Sequence, residues 1–391
     1  MAGPMSGHAD SVTQTEDVAA DARLIIAASE ADANLFYATR FLAPDPFVFL
    51  WHGDQKILLV SDLELDRARA QAQVSQVLAL RTYEGRAKQT GAERPGIVDA
   101  LRELLREREV QSLLVPGSFP LEHADGLRAR GLRVTARTEP FFEARLTKSA
   151  DEVEAIRQAM RRTEAALDAG IQAIREAEDR GGGLRWRGAV LTSETVKRIM
   201  AQQLLEDGLI AQHTIVACGD QACDPHHEGC GPLAAGRAII LDVFPRDESS
   251  RYYADITRTV VKGQAPEALC RMHAAVLAAQ ASALTRIRDG AEGEAIHLEV
   301  QQTFQAHGYH TGEVNGRMQG FFHGTGHGLG LEVHELPRIS KGKTTLRSGH
   351  VVTVEPGLYY PGIGGVRIED VVVVTDTGCR NLTSHPKLLE V

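Results

Sequence analysis

No stretch of this chain approaches the ~20 consecutive apolar residues that a bilayer-spanning helix needs, so no membrane association is expected. Basic residues are in the minority. The 43 Lys and Arg stand against 52 Asp and Glu, a net charge of −9, and no basic run is interleaved with aromatics. That balance favours solubility and disfavours a phosphate backbone, so nucleic acid is not expected as a partner. Cysteine is scarce, with an odd five scattered over 391 residues, which argues against a disulfide framework. The opening MAGPMSGHADSVTQTEDVAA lacks a basic segment followed by an apolar core. It reads as a flexible tail over residues 1–20 rather than a secretory signal, and a cytoplasmic location follows. Also missing are a G-x-S-x-G elbow, a phosphate-binding P-loop and a G-x-G-x-x-G turn after a strand, so neither nucleophile nor nucleotide chemistry is signalled.

What is present suits an ordinary globular protein of two or three domains: 43% hydrophobic and 24% charged residues. Residues 21–145 alternate β-rich runs with helical patterns. Phe47-Val48-Phe49-Leu50 and Lys56-Ile57-Leu58-Leu59-Val60 flank a Gly53-Asp54 turn as a hairpin would, and a helix is expected over Asp99 to Arg108. No catalytic cluster stands out in this α/β region. A boundary falls within EARLTKSA, after which Ser149 and Glu152 form a capping box that opens a long helix. Residues 146–391 make the second domain.

In that domain the order helix, helix, strand, strand occurs twice. The expected strands are Ala238 to Phe244, Tyr252 to Val261, Val351 to Glu355 and Val366 to Val374. Each carries a candidate acid inside a run rich in Ile, Leu and Val: Asp242, Asp255, Glu355 and Glu369. Asp242 and Glu355 are 113 residues apart, and Asp255 and Glu369 are 114. The near-constant offset predicts two similar halves related by a pseudo-twofold axis, with the acids meeting between them. Four carboxylates in an apolar interior are costly and repel one another, and divalent cations remove both problems. The segment from Phe321 to Glu335 adds His323, His327 and His334 among glycines that let backbone approach a ligand. Four carboxylates and one imidazole suit two hard or borderline ions such as Mn²⁺, Co²⁺ or Zn²⁺. Two such ions can share a water that ionises near neutrality and can polarise a carbonyl, so amide hydrolysis is the natural reaction. Cys223 and His226 have zinc-like spacing, but the second half of such a site is missing.

The set ILDVF, YYADITRT, HGTGHGLGLEVHE, VEPGLY and GGVRIED resembles the metal-dependent peptidases of the pita-bread fold: proline dipeptidases (prolidases), Xaa-Pro aminopeptidases and methionine aminopeptidases. The resemblance runs from about residue 145 to the end. Residues 21–145 resemble the smaller creatinase-type domain found in the two proline-specific groups but not in methionine aminopeptidases. It implies an α/β chain with a pita-bread catalytic domain, working as an Xaa-Pro dipeptidase or, alternatively, as an Xaa-Pro aminopeptidase on longer peptides. It implies Asp242 as a ligand of one metal, Asp255 and Glu369 as bridges, and His327 and Glu355 at the other metal, with Glu355 also shuttling a proton. His226 would face the scissile bond, His323 and His334 would steady the tetrahedral intermediate, and Arg367 would orient the site or meet the substrate carboxylate. A homodimer is implied too. A metal-free scaffold or a lyase on the same fold are the remaining alternatives. The seven residues from Pro245 to Arg251 are expected to lengthen a hairpin turn.

Overall fold

The computed structural model describes residues 20–391 except Gly182; all but the last residue of the expected tail lies outside them. Two compact units divide between Phe142 and Glu143.

In the first unit, six strands form one sheet in the spatial order Gln76–Ala79, Gln55–Val60, Phe47–His52, Ala22–Ala27, Ser112–Pro116 and Arg133–Arg137. Side chains alternate strictly between its faces. Leu24, Ile26, Val48, Leu50, Ile57 and Leu59 enter one core under the helices Ile97–Glu107 and Leu121–Arg128, while Ile25, Phe47, Phe49, Leu58 and Val60 enter the other with Phe141 and Phe142. Both faces are covered, which is why these strands are apolar at consecutive positions.

The second unit starts with α1 (Ala150–Glu176), whose first turn is closed as expected: Ser149 Oγ accepts from Glu152 N at 3.2 Å, and Ser149 N donates to the Glu152 carboxylate at 2.8 Å. There follow α2 (Ser193–Glu206) and three antiparallel strands, β1 (Ile215–Cys218), β2 (Ala238–Val243) and β3 (Ile256–Val261), paired in the order β1-β2-β3. The pattern then recurs with α3 (Glu267–Arg286), α4 (Gly293–Ala306), β4 (Gly326–Gly328), β5 (Glu335–Ile339), β6 (Val351–Val354), β7 (Gly357–Tyr360), β8 (Gly364–Arg367), β9 (Asp370–Val374) and β10 (Cys379–Asn381). The second sheet runs β5-β4-β6-β9-β10, and its central β4-β6-β9 matches β1-β2-β3. Each half is therefore two helices followed by a three-stranded meander, one strand more than the sequence pattern suggests.

The strands are also shorter than expected. Asp255 precedes β3, Glu355 follows β6, and the expected run Val366 to Val374 breaks into β8 and β9 around Ile368 and Glu369. Only Asp242 lies within a strand. Apolar content cannot reveal such breaks. At this one the backbone leaves its ladder to meet the other half: Glu369 N donates to Thr257 O at 3.1 Å. Close approach also demands Gly326, because a Cβ there would lie 1.9 Å from Thr353 O. The Pro245 to Arg251 segment is more than a long turn. Arg246–Asp247 pairs with Leu209–Ile210, and buried Asp247 binds Arg162 and accepts the backbone N–H groups of Ser249 and Ser250, both at 2.8 Å.

Candidate metal centre

Strand alternation aims the site. On either side of the β8–β9 break, Val366, Ile368, Val372 and Val374 enter the apolar core, so Arg367 and Glu369 face the other way. In and before β3, Asp255, Thr257 and Thr259 share one face. Thr257 Oγ1 donates to Glu369 at 2.8 Å, and Thr259 Oγ1 donates to Arg367 O at 2.9 Å. Donor atoms of Asp255, His327 and Glu369 all fall within 4.8 Å of one another, and all three residues are buried. His327 Nε2 lies 3.8 Å from Asp255 and 3.5 Å from half-buried Glu355. Asp242, on β2, accepts from Arg367 Nη2 at 2.7 Å, and its other oxygen is buried with no hydrogen-bond partner.

Charge makes this arrangement unstable as it stands. Burial, the Glu369 and Asp242 charges and then that of Glu355 push the Asp255 carboxyl well above its ordinary value. Burial and the Glu369 charge do the same to Glu355. Glu369 is pushed up to about 8 by burial, then by Asp242. The histidines move the opposite way. Burial, followed by the nearby His334 charge, pushes His327 down to about 3, so the ring is neutral. Its Nδ1 lies 3.1 Å from Gly328 O and must donate to it. That leaves the Nε2 lone pair facing the carboxylates, which is the form in which imidazole binds a metal. Mutually repelling carboxylates, a neutral imidazole lone pair and an orphaned buried oxygen on Asp242 fit divalent cations, and Asp242, Asp255, His327, Glu355 and Glu369 are the residues that would hold them.

Around this set the other expected residues take distinct places. His323 is pushed down to about 3 by burial and then by Arg367. Its Nδ1 donates to Gly324 O at 2.8 Å, and its Nε2 accepts from Tyr359 Oη at 2.8 Å. Tyr359 Oη also accepts from Arg367 Nη1 at 2.8 Å. Tyr359, fully buried and pushed up to about 12 by burial, was not foreseen, although it lies only four residues beyond Glu355. His334 is exposed, with its ring edge-on to His327 at 4.4 Å. Exposed His226 lies near enough for its charge to bear on both His323 and His334. Arg367 is 3% exposed, and its guanidinium contacts Asp242, Tyr359, Thr257 and Pro225 O. Of the two roles expected for it, these contacts match orienting the site.

A second arginine lies close by. Arg338 stands opposite His327 across the β4–β5 pair, and its charge bears on His327, His334 and Glu355. It is exposed, with no ion pair or side-chain hydrogen bond among the described residues. The sequence reading missed it because a lone arginine after Pro337 carries no spacing signal. The Cys223 thiol is buried beside Ile240 and Tyr359, and burial pushes it up to about 11.

Known proteins share both sequence and fold with this chain. An Xaa-Pro dipeptidase of Pyrococcus furiosus is 28% identical over 341 residues, 86% of this chain and 87% of that protein. An Xaa-Pro dipeptidase of Pyrococcus horikoshii is 32% identical over 284 residues, 72% of this chain and 75% of that protein. The crystal structure of an X-Pro aminopeptidase from Thermotoga maritima superposes with a TM-score of 0.79 at 25% identity, covering 95% of this chain and 98% of that one. The sequence profile of metallopeptidase family M24 matches residues 154–376, which contain every candidate ligand, and the chain belongs to that family.

Proposed function

We propose that the protein is an Xaa-Pro dipeptidase that works with two divalent metal ions. The observation that carries the dipeptide reading is Arg338. It is an exposed, unpaired cation opposite His327, near enough for its charge to bear on His334 and Glu355, and so able to pair with a carboxylate close to the scissile bond. A free carboxylate sits that near the bond only when a single residue follows it. The two dipeptidase relatives support the same reading.

When bound, two divalent cations would lower the pKa of a water towards neutrality and polarise the substrate carbonyl. The chain's residues supply the rest. Arg367 holds Asp242 in one orientation, and Thr257 does the same for Glu369. Glu355, the most exposed of the four acids, accepts a proton from the attacking water and passes it to the leaving proline nitrogen. His226 and His334 face the substrate carbonyl and donate to its oxygen as charge develops, while His323, whose ring nitrogens are held by Gly324 O and Tyr359 Oη, lines the pocket beside them. Mn²⁺ is the ion we favour from the oxygen-rich donor set. All five cysteines are free, as suits a reducing cytoplasm. No helix among the described residues is long and apolar enough to cross a membrane. A homodimer is supported by the resemblance alone.

A panel of Xaa-Pro dipeptides and Xaa-Pro-Yaa tripeptides, run with Mn²⁺, Co²⁺ and Zn²⁺ in turn, tests the proposal. Dipeptides should be cleaved and tripeptides spared. Equal rates on both would replace it with the alternative, an Xaa-Pro aminopeptidase acting on longer peptides.

A further inference from the structure

Behind the carboxylates lies a second polar layer that no ligand pattern predicts. Gln280 is 1% exposed in the middle of α3, in an otherwise apolar stretch. Its Nε2 donates to Val354 O at 2.9 Å and to Ile368 O at 3.2 Å. Those carbonyls belong to the residues immediately before Glu355 and Glu369, where β6 ends and the β8–β9 break begins. One amide group thus fixes the separation of the two chain exits that deliver these acids.

An amide can do this only with its nitrogen facing the carbonyls, since the flipped form would set oxygen against oxygen. What selects the orientation is Lys387, four residues before Val391, whose Nζ donates to Gln280 Oε1 at 2.6 Å. The same ammonium pairs with Asp370 at 2.6 Å. Asp370 in turn pairs with fully buried Arg258 at 2.9 Å, and Arg258 donates to Glu369 O at 2.7 Å and to His385 O at 2.7 Å. The C-terminal segment is therefore tied into the back of the site at two points.

We propose that Gln280 and Lys387 are positioning residues for the metal centre: Gln280 sets the spacing of Glu355 and Glu369, and Lys387 locks its amide in the working orientation. The inference rests on the metal-peptidase reading above and concerns the geometry of the ligands, not the choice of substrate.

The test compares Gln280→Glu, Lys387→Met and Lys387→Arg with the parent protein. Each is stripped with a chelator and titrated with Mn²⁺ by calorimetry, and metal-free thermal unfolding and dipeptide hydrolysis are measured alongside. Gln280→Glu keeps the shape and the Lys387 partner but removes both donations, and should weaken Mn²⁺ binding about 10-fold or more, the usual effect of losing a residue that orients a ligand. Lys387→Met should show a smaller loss in the same direction, with kcat falling and KM steady, and Lys387→Arg should recover most of it. Lys387 is only partly buried, so its variants remain informative if Gln280→Glu fails to fold. Parent-like Mn²⁺ affinity in a folded Lys387→Met would overturn the proposal, as would a parent protein that takes up no Mn²⁺. A parent that binds Mn²⁺ but leaves Xaa-Pro dipeptides intact would sink the substrate reading and leave the positioning roles standing.

Discussion

The two halves of the catalytic unit repeat one architecture and put it to different uses. The first half delivers Asp242 and Asp255, both buried, and Asp242 is clamped by Arg367. The second delivers Glu369 at 2% exposure, half-buried Glu355, and a candidate ligand with no counterpart in the first, His327 on β4. His323, His334 and Arg338 also belong to the second half, whereas the first contributes only His226 to the open side. The repeat thus brings four carboxylates to a common centre. On the function proposed above, the asymmetry makes one half an anchor and the other the face that meets the substrate.

The largest effect should come from breaking what the halves share. Asp255→Asn and Glu369→Gln each remove a charge from the common centre, and each should lower kcat/KM by about 10³-fold or more together with the metal content measured by mass spectrometry. Unequal losses, with one variant still fully loaded and active, would show that the halves do not meet at a shared centre. Next comes the face peculiar to the second half. Arg338→Met should raise KM for Xaa-Pro dipeptides about tenfold or more while leaving kcat within about twofold. Steady-state kinetics on the matching dipeptide amide should show no such change, because that substrate has no carboxylate to lose.

A third prediction concerns pH. Glu369 is raised in the folded protein to about 8 from an ordinary 4.5, so between these values the metal-free fold holds a proton that the unfolded chain has released, and stability falls as pH rises. His323 and His327 act in the opposite sense. Their folded values near 3 lie below the ordinary 6.5, so their contribution grows as pH rises through that range and is complete by about pH 7. Metal-free protein should therefore lose thermal stability between about pH 7 and pH 8.5, and Mn²⁺ should abolish the loss. A flat metal-free profile by scanning calorimetry would show that the carboxylates are not held together. The smallest effect lies far from the centre: Ser149→Ala, which breaks the capping box of α1, should cost about 1 kcal/mol in urea unfolding and leave kcat unchanged.

How much of this was legible in the sequence depended on the kind of signal. Two apolar runs flanking a Gly53-Asp54 turn exposed the N-terminal hairpin, and a serine three residues before a glutamate marked the start of α1. The 113- and 114-residue offsets revealed the repeat. Strand ends stayed hidden because valine and isoleucine continue through the break at Glu369. Asp247 read only as part of a lengthened hairpin turn, since nothing local announces that Arg162, 85 residues earlier, binds it. Tyr359, Arg338 and Gln280 were missed for one reason: each acts through contacts across elements, and a sequence records such partners only as isolated polar residues.

The measurement closest to the central claim is Mn²⁺ titration of the chelator-treated protein near pH 7, repeated in buffers of different ionisation enthalpy so that proton release is counted with binding. Carboxyls that share protons without metal must give them up to cations, so uptake of two Mn²⁺ per chain accompanied by net proton release is predicted. No binding, or binding that releases no protons, would contradict the account.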